Sequence, residues 1–232
     1  MSSVTISPLG ISAARIENGD ATLYVDAFAD HAPPFEAHRA DLILVTHDDG
    51  DHFLPNLAAR AAQQTGATIV GPPSIAYPLL AEEGFPAERL EILYPIHLTK
   101  PIDQEVRGVR LRVYQTTHFN DWHPVHVSYL IEMGGKRIYA TGDSYVIDGN
   151  DPDLQELDAI LLNLVLPEMD PAAYADVVED VQTRFRPRQI IANHLIGCDW
   201  TVTPDQLRRE VEERGLARVV IPKTPHQAVE IA

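Results

Sequence analysis

Residues Asp41–Phe53 read DLILVTHDDGDHF. The run Asp41–Thr46 is short, apolar and β-branched, which is how a buried strand reads. It is followed at once by His47, Asp48, Asp49, Gly50, Asp51 and His52. Leu54, Leu57, Ala58 and Ala61 then recur at helical spacing over Leu54–Ala62, and Gly66 lies just beyond as a stop. A strand that runs into a dense His/Asp loop and then a helix marks an α/β fold with chemistry at a strand end.

Working outward, short apolar runs alternate with helical patterns. Ala67–Val70, Leu90–Leu93, Val109–Gln115 and Leu157–Val165 read as strands. His126–Glu132 and Lys136–Thr141 flank Met133-Gly134-Gly135, a hairpin signal. Asp170 and Pro171 suit the start of a helix whose stripe is Tyr174, Val177, Val178, Val181 and Phe185. Thr203-Pro204-Asp205-Gln206 has capping-box spacing; Leu207 and Val211 continue that helix until Gly215. The strands Gln189–Asn193 and Ala217–Ile221 follow one helix each. The pattern predicts a layered α/β architecture rather than a helical bundle.

Three further strand ends repeat the theme of the first. Thr117-His118 follows Val109–Gln115, Gly142-Asp143-Ser144 follows Lys136–Thr141, and His194 follows Gln189–Asn193. Imidazole and carboxylate together suit zinc, iron or manganese, and six such side chains suffice for two ions with a bridging carboxylate and hydroxide. Each element also has a plainer reading. His118 and His194 suit hydrogen-bonded core or rim histidines, Asp143 a turn cap, and Asp48, Asp49 and Asp51 a solvated acidic loop. The fourfold repetition at strand ends weighs for metal.

Bulk properties narrow the partners. At 232 residues the chain is expected to form one domain, 1–232. Lys and Arg number 18 against 34 Asp and Glu, a net charge of −16, so a nucleic-acid or anionic-membrane partner is not expected. Arg184, Arg186 and Arg188 flank a helix C-terminus, where the dipole favours cations anyway. Leu157–Leu166 is the longest apolar run, and Asp158 and Asn163 break it far short of a membrane span. MSSVTISPLG carries no basic-then-apolar leader, and lone Cys198 permits no internal disulfide. A cytoplasmic protein is the expectation.

VTHDDGDHF, TTH, TGDS and ANH, in this order and at these separations, resemble the metallo-β-lactamase-fold hydrolases. YVDAF, with Asp26 at a strand end, resembles the family's early structural Asp. The nearest likeness is to the compact branch that includes L-ascorbate-phosphate lactonase-like hydrolases. The resemblance implies a four-layer αββα sandwich with the metals at the sheets' common edge. It implies one ion on His47, Asp49 and His118, a second on Asp51, His52 and His194, and Asp143 as bridge. The departure is Asp49, where the family usually has a second His.

A carboxylate at position 49 hardens the donor set, tilting preference from zinc toward manganese or iron. It also removes positive charge, which favours a neutral or modestly charged ester, lactone or amide over a polyphosphate. The competing reading has Asp49 too short to reach, leaving one ion on Asp51, His52, Asp143 and His194. The chemistry implied is hydrolysis of a small ester, lactone, amide or phosphoester by metal-activated water, with Asp51 orienting hydroxide and taking its proton. His123 is a candidate donor to substrate and Trp122 a candidate cleft wall in the Asn120–His126 segment. His126, Tyr145 and His226 are weaker candidates, and Cys198 reads better as a small buried residue than as a ligand. His31, His38 and His97 read as surface residues.

Two other classes compete. A diiron-type redox enzyme would place a carboxylate near position 49 and need an external electron donor. A non-catalytic metal-binding protein would treat Asp49 as a mark of decay. Homo-oligomers are common in the family and no motif here reports on them.

Overall fold

The computed structural model describes residues 3–27, 39–97, 100–119, 124–144, 154–166, 168–199 and 201–231. Among the described residues, fourteen strands build two seven-stranded sheets. In the first half of the chain these are β1 (Val4–Gly10), β2 (Ala13–Glu17), β3 (Thr22–Val25), β4 (Leu42–Leu44), β5 (Thr68–Gly71), β6 (Leu90–Ile92) and β7 (Ile102–Val106). The second half adds β8 (Val109–Thr116), β9 (His126–Met133), β10 (Lys136–Ala140), β11 (Ala159–Asn163), β12 (Gln189–Asn193), β13 (Val219–Val220) and β14 (Val229–Ile231). The helices are α1 (Pro55–Thr65), α2 (Ala76–Leu80), α3 (Pro171–Phe185) and α4 (Pro204–Glu213).

One sheet has the order β14-β1-β2-β3-β4-β5-β6 and the other β13-β12-β11-β10-β9-β8-β7. Both are mixed. β3, β4, β5 and β6 run parallel, as do β10, β11, β12 and β13, while the remaining pairs are antiparallel.

Strand alternation assigns each face. Ile16, Leu23, Val25, Leu42 and Leu44 of one sheet pack with Leu111, Val113, Tyr129, Ile131 and Leu161 of the other, forming the core between them. On the outer face of the first sheet, Ile43, Val45 and Ile69 meet Ala58, Ala62 and Leu79 of α1 and α2. On the outer face of the second, Leu130, Ile160, Leu162 and Ile190 meet Tyr174, Val178, Phe185, Leu207 and Val211 of α3 and α4. Odd and even neighbours thus serve different cores, the period-two rule of a strand buried on both faces. The result is the αββα sandwich expected from the sequence.

Helix starts follow their local chemistry. Asp170 accepts from the Ala172 amide, and Thr203 and Gln206 form a reciprocal capping box. α1 starts at Pro55 without a side-chain cap, and Gly66 ends it in the left-handed region. The strand expected over Leu157–Val165 is shorter, Ala159–Asn163, although the Leu164 amide still donates to the Asn193 carbonyl of the neighbouring strand. The strand expected over Ala217–Ile221 contracts to Val219–Val220.

The sheets meet at the end of β4. Val127 N–H donates to the Thr46 carbonyl at 2.9 Å, and the buried Tyr129 hydroxyl donates to the Val45 carbonyl at 2.6 Å. These bonds carry the β4 end across to β9 and so fix where His47 begins.

Candidate metal centre

Five strand ends converge where the sheets meet. β3 leads to Asp26, β4 to His47, β8 to His118, β10 to Asp143 and β12 to His194. Two of these residues adopt the left-handed backbone that non-glycine residues rarely use: Asp26 has φ 47° and His194 φ 66°. Such conformations cost energy and persist where surrounding contacts enforce them. For His194 the contact is Ile11, whose carbonyl accepts from the His194 amide at 3.0 Å while its own amide donates to Ile196 at 2.6 Å.

The loop after β4 is drawn into a tight turn because the Asp49 carbonyl accepts from both His52 and Phe53 amides, at 2.9 and 2.8 Å. Phe53 is buried beside α1 and pins the turn's far end. Ser12, at the β1–β2 turn, donates through Oγ to the Asp51 carbonyl at 2.6 Å.

Among the described residues, three groups of side chains there could hold a metal ion, each with its donor atoms within 4.8 Å of one another: His47, Asp49 and His118; Asp51, His52 and His194; and His47, His52 and Asp143. Asp143 lies between the first two groups. Its carboxylate is 3.2 Å from His52 Nε2, 3.8 Å from His118 Nε2 and 3.9 Å from His194 Nε2. All seven sequence candidates, His47, Asp49, Asp51, His52, His118, Asp143 and His194, are therefore brought together. Asp48 is exposed and belongs to none of the groups.

Hydrogen bonding settles the tautomers. Asp26, acceptor-only when ionised, takes the Thr46 hydroxyl proton at 2.8 Å and faces His52 Nδ1 at 3.0 Å. Since the Thr46 proton is committed to Asp26, Thr46 Oγ1 accepts from His47 Nδ1, 3.0 Å away. One carboxylate thereby places Nδ1–H on both rings and turns both Nε2 atoms toward the cluster. Fixing the far ring nitrogen is how proteins orient metal-binding histidines. His52 Nε2 and His194 Nε2 are buried with no hydrogen bond of their own. Buried polar atoms are normally satisfied, so two such atoms aimed at carboxylates suit residues that would hold a cation.

Outer partners hold the carboxylates as well. Asn163 Nδ2 donates to Asp143 Oδ1 at 3.1 Å, Asn193 Nδ2 donates to Asn163 Oδ1 at 2.9 Å, and Asn193 also reaches the Ser12 carbonyl at 2.7 Å. Asn163 and Asn193 are paired neighbours at the ends of β11 and β12. The Asp143 amide donates to His126 Nε2 at 3.0 Å, which leaves Nδ1–H to donate to Thr116 Oγ1 at 2.7 Å. Thr116 then donates to Ser128, and Ser128 to the Thr141 carbonyl. His126 is thus committed at both nitrogens and positions Asp143. Gly142 sits against it, since a Cβ there would fall 2.6 Å from His126 Nε2 and 2.8 Å from Thr46 Cβ.

The cluster's charges are mutually dependent. Burial opposes the charge on His52, yet Asp143 and Asp26 hold its pKa well above the usual imidazole range. For His194, burial is likewise outweighed by Asp143 and by the Asp51 carboxylate 3.2 Å away, which push the pKa up to about 10. Asp143 is held well below the carboxylate range because His52 and His194 outweigh its burial. Burial beside neighbouring histidines keeps His47 neutral.

The remaining candidates separate cleanly. Cys198 is half-buried, its Sγ 3.5 Å from His194 Nδ1. It is not the fully buried small residue expected, because the loop after β12 turns it onto the back of the His194 ring. His226 is exposed on a turn, where its amide donates to Pro8, and His97 is exposed too. Asn120, Asp121, Trp122, His123, Tyr145, His31 and His38 lie outside the described residues. Asn163, Asn193 and Ser12 were not singled out from sequence. The signal available was an Asn closing each of two apolar strands, AILLN and QIIAN.

Facing mixed sheets, outer helices and a His/Asp cluster at the shared edge define the metallo-β-lactamase fold. Residues 20–194 match the model of the beta-lactamase superfamily domain, and the chain belongs to that family. A UPF0173 metal-dependent hydrolase from Nitratidesulfovibrio vulgaris is 29% identical over 241 residues, covering 90% of this chain and 96% of its own. Another from Thermococcus onnurineus is 28% identical, covering 98% and 100%. Among solved structures, Igni18, a metallo hydrolase from Ignicoccus hospitalis, aligns with a TM-score of 0.75 at 20% identity over 99% of both chains. The two UPF0173 relatives support metal-dependent hydrolysis as the general activity, the Igni18 likeness shows the fold, and none carries a substrate. Among the described residues, no helix is long and apolar enough to cross a membrane.

Proposed function

We propose that the chain is a metal-dependent hydrolase with a dinuclear centre, one ion on His47, Asp49 and His118 and the other on Asp51, His52 and His194, bridged by Asp143. The observation that carries this reading is the pair of three-residue groups, each within 4.8 Å, with a single buried carboxylate between them. The Asp49 carboxylate shares a group with His47 and His118, which argues against its being too short to reach. Divalent ions held there would activate water near neutral pH and polarise the substrate's carbonyl or phosphoryl oxygen.

The chain's own residues perform the rest. Asp26 keeps His47 and His52 in the tautomer that presents Nε2. Asn163 and the His126-held amide keep Asp143 oriented. Asp51 is only partly buried, and its Oδ2 is 3.2 Å from His194 Nε2, so it can receive a proton at the cleft's open side. Burial would raise its pKa, but His194 and His52 hold it below the ordinary value, which keeps it ionised.

Three carboxylates against two divalent cations leave one formal positive charge, which a single hydroxide cancels. In a chain of net charge −16, such a site is a poor trap for polyanions. A small, neutral or modestly charged ester, lactone or amide is the substrate class that fits, with zinc, manganese or iron as the ion. The same charge argues against nucleic-acid and anionic-membrane partners. The test is a panel of esters, lactones, amides and phosphodiesters assayed with each metal. Turnover of neutral members that a chelator abolishes and Asp143→Asn removes is the expected result. No metal-dependent turnover anywhere in the panel would overturn the proposal.

A further inference from the structure

The two three-residue groups have the same donors. His47 and His118 accompany Asp49, and His52 and His194 accompany Asp51, so each offers two imidazoles and one carboxylate. With Asp143 between them, the half-sites match in donor type and differ in what stands behind those atoms. Behind His52 is the Asp26 carboxylate at 3.0 Å; behind His47 is the Thr46 hydroxyl at 3.0 Å; behind His194 is the Cys198 sulfur at 3.5 Å. Asp49 itself accepts from the Gly50 amide at 2.7 Å through Oδ1.

Resting on the dinuclear reading above, we infer that Asp49 is the metal-selectivity residue of this centre: it makes the half-sites alike, so that the protein carries a matched pair of manganese(II) or iron(II) ions. Two imidazoles and one carboxylate with open positions is a donor set suited to iron(II), and added oxygen donors suit manganese. Three imidazoles around an open position is a zinc arrangement. Zinc still binds any such site more tightly than manganese in absolute terms. Asp49 therefore acts on the ratio, narrowing zinc's advantage at the half-site it serves.

The outer partners set the order of filling. A carboxylate behind an imidazole raises the ring's basicity as a ligand, and such partners are worth roughly 10–100-fold in affinity. His52 has one, Asp26 at 3.0 Å, so the half-site of Asp51, His52 and His194 fills first. The half-site of Asp49 fills second and is the weaker. Its Asp49 carboxylate also accepts from the Gly50 amide through Oδ1, which orients it toward one side of the loop.

The test is stepwise binding of manganese and zinc to the full chain, followed by competition against a chelator, with manganese EPR to detect coupled ions. Wild type is expected to bind two manganese ions in two steps and to show the exchange-coupled signal. Asp49→His is expected to raise the zinc-to-manganese affinity ratio of the weaker step by at least about 10-fold, the lower end of what outer partners achieve. The tighter step is expected to stay unchanged. Asp49→Asn, which keeps the shape and removes the charge, is expected to lose the weaker manganese step, and serves if the His variant does not fold. An unchanged ratio in Asp49→His, or an intact weaker step in Asp49→Asn, would overturn this inference and leave the metal centre standing. Wild type that binds neither metal would overturn the dinuclear reading itself, and this inference with it.

Discussion

Asp26 Oδ2 lies 3.0 Å from His52 Nδ1, and the same oxygen accepts the Thr46 hydroxyl at 2.8 Å, so one buried carboxylate orients the His52 and His47 rings together. Neither ring could present the same nitrogen without it. An Asn at position 26 could still accept from the Thr46 amide, but its amide arm would face two donors. Both histidines would then be free to carry the proton on Nε2, which cannot bind a cation. Asp26→Asn is expected to weaken metal binding by roughly 10–100-fold. Competition against a chelator measures it, and an unchanged affinity would remove Asp26 from the account.

Gly142 is expected to tolerate no side chain. Its φ of 55° already favours glycine, and a Cβ would sit 2.6 Å from His126 Nε2. The backbone conformation alone costs another residue about 1–3 kcal/mol, and the displaced ring would release the Asp143 amide. Gly142→Ala should lower both the thermal midpoint and the metal content. Normal metal content in a destabilised variant would show that Asp143 does not depend on His126.

Much of this was legible in the sequence, and the limits have physical causes. His47, Asp49, Asp51, His52, His118, Asp143 and His194 each follow a strand end, and strand ends on one edge of a sheet gather in space whatever lies between them. A layered α/β architecture followed from the alternation of strand and helix patterns, and the αββα order from the family resemblance. What stayed hidden depends on contacts distant in sequence. Ser12 reaches Asp51, Asn193 reaches Ser12, and Tyr129 reaches Val45, pairings that no local pattern reports. His126 looked like a marginal site residue because its role lies in a backbone amide seventeen positions away. Cys198 looked inert because only the turn after β12 brings its sulfur to His194.

Metal uptake is expected to release protons. His194 has its pKa pushed from 6.5 to about 10, and His52 is also raised, so both rings are protonated in metal-free protein near neutrality. A metal must displace those protons. Binding should therefore strengthen as pH rises, and calorimetry in buffers of different ionisation heats should register proton release. For stability the sign is fixed by the same shift. The His194 contribution is complete below 6.5 and lost as pH rises through about 10. Asp143, lowered from 3.8, contributes above that value and loses its contribution as pH falls. Metal-free protein should thus melt highest between those limits. Uptake without proton release would contradict the ion pairing described.

Away from the centre, stability and metal binding should separate. Thr203 caps α4 in a reciprocal box with Gln206, on the outer face of the second sheet. Thr203→Ala is expected to cost about 1 kcal/mol with metal content unchanged. Denaturant unfolding and elemental analysis, run on one preparation, check both halves. A loss of metal would mean that the centre senses the outer helices.

The central claim is two ions on seven side chains, and elemental analysis tests it most directly. Protein purified without chelator and supplied with manganese or zinc should hold two equivalents, falling in Asp143→Asn, where the bridge loses its charge. One equivalent in the wild type, unchanged in that variant, would contradict a bridged pair, and none would contradict the metal centre altogether.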